Sequence, residues 1–169
     1  MALVRDGQVV QGAQDEWVRV GDAEPVPDNT PAVVTLARWR EERSRLLRRE
    51  APLGVQLASG DDVAEIADDV ARFGLIALEF PAFTDGRAYS SARLLRERYG
   101  FMGELRAVGN VLRDQFAFMH RCGFDAFEVR DADADAWSEA LAEVRVWYQP
   151  AADRHFTAMR LRHRRVAAE

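Results

Sequence analysis

Residues 73–129 decide the fold, and they read FGLIALEFPAFTDGRAYSSARLLRERYGFMGELRAVGNVLRDQFAFMHRCGFDAFEV. The run Leu75–Phe80 is almost unbroken apolar sequence, which is typical of a strand buried on both faces of a parallel sheet. Two later segments, Glu104–Val108 and one within Phe124–Val129, predict further strands. Amphipathic stretches between the strands predict helices over about Ser90–Tyr99 and over Val111–Arg121.

The same alternation extends toward the amino terminus. Strands are predicted at Ala32–Val34 and Gly54–Ala58, and Thr35 is placed to cap a helix from Leu36 to about Arg49. An apolar stripe between Val63 and Phe73 predicts another helix, which we expect Gly74 to end. Strand–helix alternation repeated about four times predicts an α/β fold of βα units with a mainly parallel sheet. The pattern leaves an open sheet and a partial barrel as alternatives.

The first ten residues predict a β-hairpin, because Asp6-Gly7 supplies a tight turn between the apolar segments of Leu3–Val10. A proline-rich stretch follows and is typical of a linker. An acidic turn at 131–135, a helix at Trp137–Val144 and a last strand at Arg145–Tyr148 are predicted before a basic tail. The chain therefore divides into a hairpin extension (1–24), a linker (25–31), an α/β domain (32–150) and a C-terminal tail (151–169).

Composition excludes several function classes. The net charge of -5 and the pI near 5.3 argue against nucleic acid as the main partner. All 23 basic residues are arginine, which excludes a Schiff-base lysine and attachment of pyridoxal phosphate. Cys122 is the one cysteine, so no intramolecular disulfide and no four-cysteine metal site can form.

The chain shows no dinucleotide-binding glycine motif, no phosphate loop and no Cys-x-x-Cys. We therefore expect no cofactor and no metal. The three histidines lack the spacing of a helical metal pair, and His120 is a minor candidate for a general base. No apolar run approaches membrane-spanning length and no signal peptide is evident, so we expect a cytoplasmic protein that does not bind membranes.

Ligands of open α/β folds bind at the carboxyl ends of the strands, which directs attention to three loops. These are Ala58–Asp61, Pro81–Tyr89 and Val108–Asn110. In the second loop, Arg87 and a serine at the start of the next helix suggest an anion pocket, with Ser90 or Ser91 as the cap. The alternative is a plain loop in which Asp85 and Arg87 form a local ion pair.

Charged side chains on the following strand are a second candidate. Glu104 and Arg106 share one side of the strand, where an unpaired charge would be costly. They pair with each other or with Arg93, Arg96 or Asp114, or they point into the polar interior of a partial barrel. The candidate ligand-binding residues are Asp85, Arg87, Tyr89, Ser90, Ser91, Glu104, Arg106, Asn110, Arg113 and Asp114.

Three motifs within the quoted run carry a family resemblance. They are Phe-Pro-x-Phe-x-Asp-Gly-Arg-x-Tyr-Ser at Phe80–Ser90, Gly-Glu-Leu-Arg-Ala-Val-Gly at Gly103–Gly109, and Leu-Arg-Asp-Gln at Leu112–Gln115. The run closely resembles an uncharacterised bacterial domain-of-unknown-function family labelled probable oxidoreductase of sulfite reduction. Its members are typically encoded beside sulfite reductase and the sulfonucleotide reductase. Asn110 stands where this family has Asp, which removes a carboxylate that could act as a base.

The resemblance implies a role in assimilatory sulfate and sulfite reduction. One interpretation is an accessory protein that binds a reductase partner or a sulfur-oxyanion ligand at the carboxyl edge of the strands. The alternative is a cofactor-free enzyme acting on a small anionic substrate, with Asp85, Arg87, Arg106 and Asp114 as its polar groups. The candidate partners are sulfite reductase, the sulfonucleotide reductase, a small anion and a second copy of the chain.

Overall fold

The computed structural model describes residues 1–5, 8–10, 14–130, 136–137 and 150–152. These residues form a mixed α/β protein around one eight-stranded sheet that is curled into a half-barrel. The strands are β1 (Ala2–Arg5), β2 (Gln8–Val10), β3 (Val18–Arg19), β4 (Ala32–Thr35), β5 (Leu53–Leu57), β6 (Phe73–Phe80), β7 (Glu104–Gly109) and β8 (Ala126–Val129). The helices are α1 (Leu36–Leu46), α2 (Arg87–Arg93) and α3 (Phe116–Arg121), with 3₁₀ helices at Val63–Arg72 and Arg113–Gln115 and a π-helical turn at Leu94–Arg98.

The order of strands across the sheet is β2-β1-β8-β7-β6-β5-β4-β3. Strands β3 to β8 are parallel to one another, whereas β1 is antiparallel to both β2 and β8. Because successive parallel strands lie side by side, the loops that follow β4 to β8 leave the sheet at one edge. This edge is called the carboxyl edge below.

The two faces of the sheet pack differently. Alternate side chains of the strands, such as Val55 and Ile76, join Trp39 of α1 and Leu95 in the main hydrophobic core on the helical face. The opposite, concave face carries a small apolar cluster of Val33, Leu75, Ala77 and Val108, on which Trp17 packs. The curl therefore creates an interior that the N-terminal residues cover.

The sequence predicts the parallel strands and the helix cap well. Thr35 caps α1 and accepts a hydrogen bond from the backbone N–H of Arg38, as predicted. The pairing of β1 with β2 matches the predicted hairpin, but its turn at Asp6-Gly7 lies outside the described residues. The predicted elements at 131–135 and 145–148, and most of that at 137–144, lie outside them as well.

The helices before β6 and before β8 differ from the prediction. Residues Val63–Arg72 form a 3₁₀ helix, whose repeat of three residues per turn buries Val63, Ile66 and Asp69 in succession. Gly74 does not end this helix but lies inside β6, where the indole of Trp17 approaches to within 3.0 Å of the position that a Cβ would occupy. The last α-helix before β8 starts at Phe116, after a short 3₁₀ helix, and not at Val111.

The division of the chain into an extension, a linker, a domain and a tail stays a prediction. In the structure β1 pairs with β8, and the backbone N–H of Val20 donates to the carbonyl of Val33. The side chain of Val26, within the predicted linker, is buried.

Gly109, the last residue of β7, provides a test of the fold. Its φ is +90°, and an added Cβ would lie 2.5 Å from the carbonyl oxygen of Phe80. We expect Gly109→Ala to lower the free energy of unfolding by at least about 2 kcal/mol, because strain and a backbone clash act together. Urea unfolding measures this loss.

The control is Gly60→Ala. The nearest atom to the added Cβ would be Nη1 of Arg87 at 3.7 Å, which is ordinary contact. We expect a change within about 0.5 kcal/mol for this variant. Equal stability of the two variants would contradict the described approach of β7 to Phe80.

Candidate functional site

A buried guanidinium lies at the centre of the concave face. Arg106 of β7 is 4% exposed, and its Nε donates to Oε1 of Glu104 at 2.7 Å. Its Nη1 and Nη2 donate to the two carboxylate oxygens of Asp15 at 2.8 and 2.9 Å. Oε1 of Glu128 on β8 lies 3.5 Å from Nη1. Three carboxylates thus surround one arginine, and the bidentate contact with Asp15 is the geometry in which such pairs are strongest.

The ionisation of the pair follows from this geometry. Burial by itself raises the pKa of Asp15, but the hydrogen bonds and the charge of Arg106 outweigh burial and hold the pKa below 3.8. Burial likewise opposes the charge of Arg106, yet the hydrogen bonds that it donates to Asp15 and the fields of the carboxylates raise its pKa above the ordinary value. Both groups are therefore charged at neutral pH.

Two further arginines extend the cluster. Nη2 of Arg5 lies 2.8 Å from Oε2 of Glu104, and Nη2 of Arg19 donates to Oε1 of Glu128 at 2.7 Å. Of the alternatives that the sequence left open, the pairing of Glu104 with Arg106 is present, but the other partners of Arg106 are Asp15 and Glu128 and not Asp114. Sequence reasoning missed these partners because they lie 91 and 22 residues away along the chain.

The second group of predicted residues lies at the carboxyl edge. Asp85 accepts hydrogen bonds from Nε and Nη2 of Arg87 at 3.0 and 2.6 Å, and from the hydroxyl of Ser59 at 2.6 Å. The hydrogen bonds from Arg87, then that from Ser59, hold the pKa of Asp85 well below its usual range. The geometry is the local ion pair of the plain-loop alternative, and it links the loops that follow β5 and β6.

The serines do not take the predicted capping position. The helix α2 begins at Arg87, whose backbone N–H donates to Oδ1 of Asp85 at 3.2 Å, and Gly86 occupies the cap position. Ser90 and Ser91 therefore lie within the helix, and the prediction that one of them caps it is wrong. Because the carboxylate of Asp85 accepts from the backbone N–H of Arg87, the helix begins at Arg87, upstream of the two serines.

The remaining candidates lie near the same edge. The backbone N–H of Asn110 donates to the carbonyl of Phe80 at 2.7 Å, while Asn110, Arg113 and Asp114 are exposed. Tyr89 is partly buried, and burial followed by the fields of Cys122 and Asp114 raises its pKa. The predicted residues thus form two separate pairs. Asp85 pairs with Arg87 at the carboxyl edge, and Glu104 pairs with Arg106 on the concave face.

Sequence reasoning did not find an exposed aromatic surface at the carboxyl edge, here called the aromatic patch and defined as Phe83, Tyr89 and Phe118. Phe118 is 58% and Phe83 55% exposed. The rings of Tyr89 and Phe118 lie 4.9 Å apart, and Tyr89 also packs edge-on against the buried Phe80 at 5.1 Å. Nε2 of Gln115 lies 3.5 Å from the carbonyl of Phe83, which ties the loop to the start of α3.

Metal sites and membrane-spanning helices are two other classes of feature. In the described part of the chain, no group of three or more His, Cys, Asp or Glu side chains could hold a metal ion. Among the same residues, no helix has the length and apolar character needed to cross a bilayer. Cys122 is buried at the end of α3.

The fold and the cluster define a mixed α/β half-barrel protein with a charged interior and an aromatic edge. A family model described as a bacterial protein of unknown function (DUF934) matches residues 54–159. The chain therefore belongs to this family. No curated protein and no solved structure matches the chain.

Removing the central guanidinium tests the cluster. We expect Arg106→Met to lower the free energy of unfolding by about 3 kcal/mol or more, because Asp15 would lose its bidentate partner in a partly buried place and Glu104 would keep only Arg5. The control is Arg87→Met, which removes an arginine whose side chain is 64% exposed, and we expect a far smaller loss there. Equal losses would contradict the central position of Arg106.

The interaction of Asp15 with Arg106 also predicts a pH dependence. Because the pKa of Asp15 is lower in the folded chain than 3.8, its contribution to stability is complete above that pH and is lost as the pH falls further. The gap in unfolding free energy between wild type and Asp15→Asn should therefore shrink on acidification below 3.8. Urea titrations across a pH series, with the exposed Asp68→Asn as control, measure it. A gap that stays constant at low pH would refute this account.

Proposed function

We propose that this protein is an accessory protein of assimilatory sulfate and sulfite reduction that binds a reductase partner at its carboxyl edge. The pathway rests on the resemblance carried by the motifs at Phe80–Ser90, Gly103–Gly109 and Leu112–Gln115. The assignment of the carboxyl edge as the binding surface rests on one observation, the aromatic patch. Exposed aromatic rings supported by a packed core are the typical anchors of protein interfaces.

The contacts of the patch support this assignment. Tyr89 holds Phe118 against the core because its ring packs on both Phe118 and the buried Phe80. The ring of Phe118 is thereby ordered before any partner arrives, which lowers the entropic cost of association. The exposed charges of Arg113 and Asp114, at the start of the 3₁₀ helix before α3, provide a polar rim.

Catalysis is less well supported by the same geometry. Asp85 is held ionised by Arg87 and Ser59, so it is a poor general acid and a weak general base near neutral pH. Arg106 is enclosed by Glu104 and Asp15 on the concave face. Asp85, Arg87 and Arg106, three of the polar groups proposed for a cofactor-free enzyme, are therefore already bonded to protein partners.

One observation favours an anionic ligand as a second candidate. Arg87 pairs with Asp85 through Nε and Nη2, and its side chain is 64% exposed. Its Nη1 can therefore meet a sulfur oxyanion at the carboxyl edge, either as a bound ligand or as the substrate of a cofactor-free enzyme. A loss of sulfate-dependent growth in Arg87→Ala would support this alternative.

The binding test uses the full chain and purified sulfite reductase from the same bacterium. We expect Phe83→Ser and Phe118→Ser each to weaken the complex by about tenfold or more, as interface anchors do. Met102→Ser is the matched control, because Met102 is 74% exposed but precedes β7 at the opposite edge of the sheet. Surface plasmon resonance measures the affinities.

Two results would count against the proposal. One is the absence of any complex between the wild-type chain and either sulfite reductase or the sulfonucleotide reductase. The other is equal affinity of the Phe118→Ser and Met102→Ser variants, which would move the interface away from the aromatic patch. Circular dichroism of each variant shows whether the fold is retained.

A further inference from the structure

A cavity of about 680 Å³ opens at the carboxyl ends of β7 and β8. These strands are parallel neighbours, so the loop after β7 and the residue after β8 leave the sheet side by side. The strand order breaks here, because β8 is followed across the sheet by the antiparallel β1. In open α/β sheets, ligands bind at the carboxyl ends of strands where the strand order changes. The volume lies within the range of about 300–1,000 Å³ that small-molecule sites occupy.

The accessible part of the lining is the loop after β7, residues 109–113, together with Arg130 directly after β8. All of these residues are exposed or partly exposed. Val129 and Trp137 also line the cavity, but they are 2% and 1% exposed and thus covered by protein. A ligand would therefore contact the loop and Arg130. No residue of the aromatic patch lines this cavity.

Two arginines in this lining keep their full hydrogen-bonding capacity. Elsewhere in the described chain, most guanidinium groups donate to a protein oxygen, as Arg96 does to the carbonyl of Gly123 at 2.9 Å. Among the described residues, Arg113 and Arg130 are exposed and their guanidinium groups have no hydrogen bond or ion pair. Each guanidinium carries five N–H donors in a planar fork. Unlike Arg87, these two arginines can bind an anion without sharing it with a neighbouring carboxylate.

The charge of the described lining is positive. Glu128 is the one acid in it, and its Oε1 already accepts from two other arginines. Met1 also lines the cavity, and an amino group there can only add positive charge. The acidic segment 131–135 that follows Arg130 in the sequence lies outside the described residues. Within the described lining, the charges of Arg113 and Arg130 are therefore uncompensated, which favours an anionic ligand.

The number of donors indicates the kind of anion. One guanidinium fork engages both oxygens of a carboxylate, which leaves few acceptors for a second arginine. A phosphate or sulfate ester offers three terminal oxygens, enough for both Arg113 and Arg130. The exposed side-chain amide of Asn110 lines the same cavity and can donate to the same group. The partly exposed Val111 and Leu112 provide apolar surface for the organic part of such an ester.

We propose that this cavity binds an organic phosphate or sulfate ester. The tetrahedral oxyanion of the ligand pairs with Arg113 and Arg130, and its organic part lies on Val111 and Leu112. This site goes beyond the reductase surface proposed above. Because the aromatic patch lies outside the cavity, failure of either proposal leaves the other in place.

Calorimetric titration of the full chain with phenyl phosphate and phenyl sulfate tests the proposal, and the tighter of the two identifies the oxyanion. We expect saturable binding of at least one ester below about 10 mM. Phenol, which lacks the oxyanion, should not saturate in that range. Inorganic phosphate and sulfate should bind about threefold or more weakly than the corresponding ester, because they make no apolar contact. Failure of both esters to bind, or binding of phenol or the inorganic anions as tight as that of the esters, would overturn the proposal.

The variants Arg113→Gln and Arg130→Gln should each weaken binding of the ester by about tenfold or more. Their matched control is Arg48→Gln, since Arg48 is also exposed and its guanidinium also has no partner among the described residues, but it follows α1 and lies outside the cavity. We expect binding to this control to equal that to the wild type.

Both target side chains are exposed, so the variants should keep the fold, which circular dichroism verifies. If one of them does not fold, the other still provides the test. Unchanged affinity in a folded Arg113→Gln or Arg130→Gln variant would refute the proposed contacts. A loss of binding in Arg87→Gln that these two variants do not show would instead place the anion at Arg87 and reject the site at β7 and β8.

Discussion

The guanidinium of Arg106 and the three carboxylates around it are the interaction on which the rest of the structure depends. Arg106 lies in the middle of the sheet, and an isolated charge there would be strongly unfavourable. Asp15 relieves that cost, but only if residues 14–19 cross the concave face. The crossing in turn places Trp17 on Gly74 and Arg19 on Glu128. One buried charge thus determines how the N-terminal segment closes the half-barrel.

Local signals explain why much of the fold can be predicted from the sequence. The apolar run Leu75–Phe80 and the cap at Thr35 depend on residues within a few positions of each other. Apart from the contact between Glu104 and Arg106, the charged cluster depends on contacts between residues that lie far apart along the chain, such as those of Glu128 with Arg106 and Arg19, 22 and 109 positions away, for which periodicity carries no information. The sequence therefore offered the pairing of Glu104 with Arg106 as one alternative, and it left their partners and the curl of the sheet open.

The misplaced helix boundaries have a related cause. The stripe from Val63 to Phe73 suits a repeat of three as well as one of 3.6, and burial of Asp69 beside Arg43 selects the tighter helix. At the carboxyl edge, Asp85 satisfies the amide of Arg87 and starts α2 before the serines. In both places a side chain from outside the periodic pattern decided the outcome. Helical periodicity does separate exposed Phe118 from buried Phe116 and Met119, but it does not show that Phe118 lies against Tyr89 from another helix, which requires the tertiary packing.

Strand β7 shows how one element can serve two separate surfaces. Its alternation sends Arg106 and Val108 into the concave interior and Leu105 and Ala107 into the helical core. Its last residue, Gly109, reaches the carboxyl edge against Phe80, whose ring supports Tyr89 of the aromatic patch. The concave interior and the helical core therefore lie on opposite faces of one strand, which pairs with β6 from Glu104 to Gly109 and with β8 at Arg106 and Ala107. Because one strand carries both faces, the position of the buried guanidinium and that of the carboxyl edge are fixed together.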